Sequence, residues 1–273
     1  MNPDNPVIRE AIQKGLSPNV LFIDIENSWC KGWFWRGGKQ FISGDQIESM
    51  ARVICLCYVW NNDKKGHTLY WDSKGNDKKL IQDFVKLAEK ADLIIGHNGE
   101  RHDVNILRAR MLVHKIDPVP IDVIDDTLKL VYRKFNFPNN SLNYLCQELK
   151  IGTKAKPPNG LECWEILDRE PGNEKALKSM AKYCMHDVIG LLRPLWKRLV
   201  PHTGSGINVN TFRYLDGVRV AICPIPLCGG TLWFHSNRHT KAGAYKRYRC
   251  KKCGHLACDR KNLIKRPTDL PRL

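Results

Sequence analysis

Apolar positions along the chain fall into short unbroken runs and into longer stretches with helical spacing. Val20 to Ile25 (VLFIDI) is a run of apolar, largely β-branched residues that ends among carboxylates, the pattern of a buried strand whose tip opens onto a site. Arg52 to Trp60 and Thr68 to Trp71 read as further strands, and the turn-forming segment NNDKKG between them predicts a β-meander. From Asp77 to Ala91 the residues Leu80, Ile81, Phe84, Val85, Leu87 and Ala88 recur at helical spacing, leading into a second buried strand, Asp92 to Gly96. Asp103 to Leu112, Leu142 to Leu149 and Glu174 to Leu199 predict helices. Strands first, then alternating helix and strand, then helices is the order of an α/β domain.

Two segments break this pattern. Gly152 to Gly160 (GTKAKPPNG) reads as a loop near the substrate side, and Pro201 to Asn210 (PHTGSGINVN) reads as a flexible linker. The expected organisation is an α/β domain over 1–200, a linker over 201–215 and a small basic domain over 216–273, without internal repeats.

Composition sharpens this picture. In 273 residues, 42% hydrophobic, with eight each of Trp, Tyr and Phe, there is enough apolar material for a packed core. No run approaches the ~18 apolar residues of a membrane span, and no apolar segment follows the N-terminus, so a soluble protein without a membrane partner is expected. Eleven cysteines, an odd number, suit a reducing compartment, so the expected location is the cytoplasm, or the host cytoplasm if the chain is viral. The net charge of +16 is uneven: residues 201–273 hold 14 Lys and Arg against Asp216, Asp259 and Asp269. Clustering of this kind points to an anionic partner, and phosphate backbones are the usual one.

The candidate chemistry lies in three acidic segments. Asp24 and Glu26 sit two apart on a strand, so both point to one face and can share a divalent cation, although acidic strand ends are also common without one. After the second buried strand, His97-Asn98 is followed by Asp103, which opens an amphipathic helix; taken alone it reads as a helix-dipole partner. Near the end of the domain, Tyr183 and Asp187 stand four apart on a helix, which places a phenol beside a carboxylate. Carboxylates from three distant segments are what two-metal phosphodiester hydrolysis needs, and hard oxygen ligands suit Mg²⁺ or Mn²⁺.

Asp24-Ile-Glu26, His97-Asn98-x4-Asp103 and Tyr183-x3-Asp187 resemble the three exonuclease motifs of the DEDD (DnaQ-like) superfamily, with the tyrosine of its DEDDy branch. The resemblance covers Val20 to Leu199 and is nearest to the exonuclease domains of family B DNA polymerases and their free-standing phage and bacterial relatives. It includes a D-T…S-L stretch from Asp126-Thr127-Leu128 to Ser141-Leu142. The resemblance implies an RNase H-like fold, a mixed five-stranded sheet flanked by helices, and a 3′→5′ exonuclease with two Mg²⁺ or Mn²⁺ ions. Asp24 would bridge both ions, Glu26 and Asp187 would complete one site, and Asp103 would hold the second. Tyr183 would orient the attacking water, and Asn98 would contact the terminal nucleotide. Asn27 stands where the family carries Thr or Ser, so its contacts to the terminal sugar should differ. The position used by a histidine base in another branch is Lys182, and His186 reads as a packing or surface residue.

In the tail, Cys223-x4-Cys228 and Cys250-x2-Cys253 form two close pairs within a 31-residue stretch, which predicts one structural Zn²⁺ in a zinc-ribbon domain; His255 and Cys258 are alternative ligands. Trp233, Phe234, Tyr245 and Tyr248 interleave with Arg238, Lys241, Lys246, Arg247 and Arg249, which suits either base stacking or the ribbon's own small core. Trp29 to Gly38 (WCKGWFWRGG) is aromatic and basic enough to touch a strand of nucleic acid, although paired aromatics of this kind are more often hairpin packing; Lys154 and Lys156 could contact phosphates, although loop lysines are more often simply solvated. The expected substrate is nucleic acid, single-stranded DNA or a frayed 3′ end, with a DNA polymerase or other replication or repair protein as a candidate partner. A catalytically idle nucleic-acid-binding adaptor and an RNase H-like endonuclease remain the competing readings.

Overall fold

The computed structural model describes residues 18–119, 121, 123–157, 160–208, 222–240 and 243–263. One compact unit spans Asn19–Leu199, and a second holds the described residues from Val200 onward. The first begins with β1 (Val20–Asn27), a small hairpin of β2 (Lys31–Gly32) and β3 (Ile47–Ser49), then β4 (Val53–Trp60), β5 (His67–Tyr70), α1 (Lys78–Ala88), β6 (Leu93–Gly96) and α2 (Asp103–Val113). It continues through β7 (Ile124–Asp126), α3 (Thr127–Lys134), α4 (Leu142–Glu148), α5 (Glu162–Arg169), α6 (Glu174–Met185), a π-helical turn (His186–Leu192) and α7 (Arg193–Thr203).

The main sheet is mixed and five-stranded, in the order β5-β4-β1-β6-β7. β1 pairs antiparallel with β4 and parallel with β6, so it lies at the centre of the sheet. Side chains alternate across β1. Leu21, Ile23 and Ile25 join Leu80, Ile81 and Phe84 of α1 and Val104 and Leu107 of α2 in one core cluster. Phe22 lies on the opposite face, its ring edge-on to Trp196 at 5.6 Å. Asp24 and Glu26 share the parity of Phe22 and so look away from α1 and α2. Each fully buried side chain of this core contributes ~1.5–3 kcal/mol.

The order of α1, α2 and β4 is fixed by a buried polar cluster. Asp77 begins α1 yet caps nothing there; its carboxylate accepts from Arg110 Nε and Nη2, both at 2.8 Å, and from Val53 N at 2.9 Å, and lies 2.6 Å from His114 Nε2. One side chain thus ties the start of α1 to the end of α2 and to β4.

The expected architecture, a mixed five-stranded sheet with flanking helices, is the one observed. Several elements were not foreseen. β7 has three residues, two of them buried aspartates held by hydrogen bonds: Trp196 Nε1 donates to Asp125 at 2.9 Å, and Asp126 caps α3. The short helices α3 and α5 lack a long apolar repeat. The helix expected over Glu174 to Leu199 is interrupted by the π-helical turn, and the expected linker over 201–215 begins inside α7 and passes into 209–221, which lie outside the described residues.

The second unit contains β8 (Leu232–Thr240), β9 (Gly243–Cys250) and β10 (Leu256–Asn262), an antiparallel sheet with β9 in the middle. Its buried residues include Ile222, Cys223, Ile225, Cys228, Ala244 and Cys250, a core far smaller than that of the α/β unit. Among the described residues no helix is long and apolar enough to cross a membrane.

Candidate active site

Asp24 and Glu26 are carried by the central strand opposite Cys57 and Cys55 of β4, and the register of the pair shifts between Glu26 and Asn27. That irregularity ends the ladder just where the acidic residues emerge. Asn27 closes the strand; its backbone oxygen accepts from Trp164 Nε1 at 3.0 Å, and its side-chain oxygen is buried without a partner among the described residues.

Asp103 reaches the same region from the loop after β6. Gly96 and Gly99 let that loop fold over the strand end: a Cβ on either would lie 3.0 Å from the other's Cα, and one on Gly99 would also lie 3.3 Å from Asp103 Oδ2. Asp126 holds the loop from below, accepting from Asn98 N at 2.9 Å and Glu100 N at 3.2 Å while it caps α3. Asn98 sits at φ 61, in the left-handed region that Asn tolerates better than most residues. Thr127 Oγ1 donates to Gly96 O at 3.1 Å and stands 2.9 Å from His97 Nδ1. Burial pushes His97 down to about 4, so its ring is neutral at physiological pH. These contacts account for the Asp126-Thr127 stretch: the pair braces the segment that delivers Asn98 and Asp103.

Asp187 comes from the opposite side, on the π-helical turn, and only 2% of it is exposed. π-helical turns insert an extra residue into a helix and often mark functional sites. Lys154 Nζ lies 2.7 Å from Asp187 Oδ2 and 5.2 Å from the centroid of the Tyr183 ring. Asp187 Oδ1 is buried without a hydrogen-bond partner among the described residues. Trp164 packs edge-on to Tyr183 at 6.4 Å, and Cys184 Sγ lies 3.5 Å from Asp24 Oδ2. His186 is exposed and paired with Thr153 O at 2.9 Å; Lys182 is also exposed.

The four acidic side chains share one electrostatic field. Burial raises Asp24 well above the usual carboxylate range, and Asp103, Glu26 and Asp187 each push it further. Burial lifts Glu26 to about 7, with Lys154 pulling against it and Asp187 adding to the rise. Asp103 and Asp187 are raised mainly by burial, in spite of His102 beside the first and Lys154 beside the second. Crowded, partly dehydrated carboxylates with an unsatisfied buried oxygen are a donor set that divalent cations fit, because the cation replaces the missing solvation and cancels the repulsion. Asp24 and Glu26 thus present ligand atoms within 4.8 Å of one another and of Cys184 Sγ, while the charges of Asp103 and Asp187 bear on Asp24 and Tyr183 stands beside Lys154 and Asp187.

Lys154 corrects the sequence reading. It is a neighbour of two candidate residues rather than a solvated loop lysine, and its partner Asp187 lies 33 residues on, beyond the reach of local pattern. Trp164 and Cys184 were also missed; the only signal was their placement near Asn27 and Tyr183 once the helices pack.

In the second unit, Cys223, Cys228, Cys250 and Cys253 present sulfurs that all lie within 4.8 Å of one another. Cys250 Sγ accepts from Lys252 N at 3.4 Å and Cys253 N at 3.5 Å, and a Cβ on Gly230 would fall 2.5 Å from Cys250 Sγ. A soft tetrahedral cation such as Zn²⁺ fits this donor set. Cys258 is exposed, and both it and the half-buried His255 lie outside the group. Of the interleaved aromatics, Phe234 and Tyr248 pack edge-on at 6.3 Å, while Trp233 is 43% exposed; Lys241 lies outside the described residues.

No curated protein matches this sequence. Among solved structures, the chain is similar to the family B DNA polymerase from the hyperthermophilic archaeon Pyrobaculum calidifontis, with 13% identity and a TM-score of 0.47. The match covers 81% of this chain and 32% of the polymerase, so the chain spans about a third of that protein's length. Residues 45–199, more than half of the chain and most of its α/β unit, match the model of the RNase H superfamily, and the chain belongs to that superfamily.

Proposed function

We propose that the α/β unit is a two-metal-dependent 3′→5′ exonuclease acting on nucleic acid, with DNA as its substrate. The observation that carries this reading is the convergence of Asp24, Glu26, Asp103 and Asp187 in one field, with an unpartnered buried oxygen on Asp187. Membership of the RNase H superfamily supports nuclease chemistry. The 3′→5′ direction rests on the motif resemblance and on Tyr183 standing beside Asp187 and Glu26.

When bound, two Mg²⁺ or Mn²⁺ ions supply the positive charge that an attacking water and a leaving 3′-oxygen require. Asp24, Glu26, Asp103 and Asp187 would hold the ions between them. Tyr183 orients the water through its phenol, and Lys154 balances the negative charge of Asp187. Asn98 and Asn27 line the approach and take the terminal nucleotide. The four-cysteine unit holds one structural Zn²⁺, and its basic sheet adds affinity for the phosphate backbone.

The test is digestion of 5′-labelled single-stranded DNA, duplex DNA and RNA with Mg²⁺, with Mn²⁺ and without divalent ions. Asp24→Ala and Asp187→Ala should each lower the rate roughly 10³-fold while leaving strand binding intact, the loss expected when several kcal/mol of transition-state charge stabilisation is removed. Retained digestion in either variant would refute the assigned roles. Circular single-stranded DNA separates the competing readings: an endonuclease cuts it, an exonuclease leaves it whole, and an idle adaptor degrades no substrate.

A further inference from the structure

Hairpin packing, the commoner of the two roles open to the aromatic segment after β1, is not what the structure shows. Its base is well formed. β2 and β3 pair antiparallel, Trp33 N donates to Gln46 O at 2.7 Å, and Gln46 Nε2 donates back to Trp33 O at 3.1 Å. Gly32 is required there, since a Cβ would fall 2.6 Å from Gln46 O. Above this base, the rings turn outward. Trp35 is 96% exposed, Phe41 88%, Trp33 71% and Phe34 62%. Burying such rings is worth several kcal/mol, so four of them held in water on a structured hairpin mark an interaction surface rather than a core.

Charge identifies the partner. From Ser28 to Gly44 the chain carries Lys31, Arg36 and Lys39 and no acidic residue. Arg36 and Lys39 have no carboxylate partner among the described residues, while Lys31 is tied to Asp168 of α5 at 2.8 Å. The same helix carries Trp164, which holds Asn27 O and packs on Tyr183, so the root of the hairpin and the edge of the acidic pocket are fastened to one element. Exposed aromatic faces interleaved with cations, with the acidic Asp45 and Glu48 confined to the base of the hairpin, match a polyanion with π-faces. Those faces are available only where bases are unpaired.

We infer that the β2–β3 hairpin is a stacking platform for single-stranded nucleic acid, on which Trp33, Trp35 and Phe41 take the bases of the strand whose 3′ end enters the acidic pocket, while Arg36 and Lys39 contact its phosphates. The inference rests on the nuclease reading for its orientation, and on the hairpin's own exposure and charge for its binding.

The experiment measures the affinity of the full chain for a 5′-fluorescein-labelled 15-nucleotide oligothymidylate by anisotropy, in an Asp24→Asn background so that the strand is not cut. In parallel, hydrolysis of the p-nitrophenyl ester of thymidine 5′-monophosphate, too short to reach the hairpin, is followed with Asp24 intact. Combining Trp33→Ala, Trp35→Ala and Phe41→Ala should weaken oligonucleotide binding tenfold or more, since each lost base stack costs roughly that factor. Ester hydrolysis should stay within twofold, and Trp35→Phe alone should retain affinity that Trp35→Ala loses. Tryptophan fluorescence should be quenched by the oligonucleotide in the parent and much less in the triple variant. An unchanged Kd together with unchanged quenching would overturn the inference. So would unchanged oligonucleotide affinity accompanied by loss of self-association or of binding to a DNA polymerase, which would make the hairpin a protein-docking surface. If the ester is never hydrolysed yet the triple variant still loses the oligonucleotide, the nuclease reading fails and the platform stands.

Discussion

Asp187 divides its carboxylate between two environments, with Oδ2 on Lys154 at 2.7 Å and Oδ1 buried without a partner among the described residues. A lysine in that position offsets repulsion among the acids when no cation is bound and competes with a cation that arrives. Replacing Lys154 with Met removes the competitor and leaves more uncompensated negative charge. The apparent affinity for Mn²⁺, followed by titration calorimetry, should tighten by about tenfold, given a unit charge a few ångströms away in a partly hydrated pocket. Turnover should fall in the same variant, because the charge balance around Tyr183 and Asp187 is lost. A weaker Mn²⁺ affinity in Lys154→Met would show that the lysine supports the site by packing rather than by charge.

At the scale of elements, the acidic pocket depends on how α1, α2 and β4 are tied at Asp77. Burial alone would raise the Asp77 carboxyl, but hydrogen bonds from Arg110 and His114 and the Val53 N–H outweigh it and hold it below its ordinary range. A carboxyl depressed in the folded state binds its proton less readily than in the unfolded chain. Its contribution is therefore complete above the unfolded value, ~3.9, and is lost as pH falls through the lower folded value. Asp77→Asn should cost ~3–5 kcal/mol in urea unfolding at pH 7, since Arg110 is left buried without its counter-charge. The difference between parent and variant should shrink below about pH 4. The loop after β6 offers a second test. Gly99→Ala places a methyl 3.0 Å from the Cα of Gly96 and 3.3 Å from Asp103 Oδ2, so loop and carboxylate must shift. A displacement near 1 Å should slow digestion on the order of 10²-fold, with a much smaller change in melting temperature.

For the whole molecule, the two units draw stability from different sources. The α/β unit has an extended apolar core, whereas the cysteine unit has a handful of buried residues around four sulfurs. Metal analysis should find one Zn²⁺ per chain. Cys250→Ser should remove it and abolish the cooperative unfolding of the β8–β10 sheet, because small metal domains owe their folding to the ion. Hydrolysis of the mononucleotide ester should persist in that variant, while strand binding weakens and its salt dependence becomes shallower as phosphate contacts are lost.

Much of this was legible along the chain. The run VLFIDI, the helical spacing of Leu80, Ile81 and Phe84, and the paired cysteines each express a local period or spacing. Local periods determine element type, the buried face of each element and which carboxylates share a strand face. The parity that sets Asp24 and Glu26 together follows from strand geometry alone. What tertiary structure decided involves partners that no local period relates. Lys154 meets Asp187 from a loop 33 residues away, Asp77 meets Arg110 across two helices, and Asp126 reaches back to the loop bearing Asn98. The aromatics after β1 show the same divide from the other side. Their composition suits packing more often than binding, and only the folded chain, in which no described residue covers them, leaves Trp35 and Phe41 in water. Sequence sets what each residue can do; the long-range contacts of the folded chain, which no nearest-neighbour rule encodes, select which of those things it does.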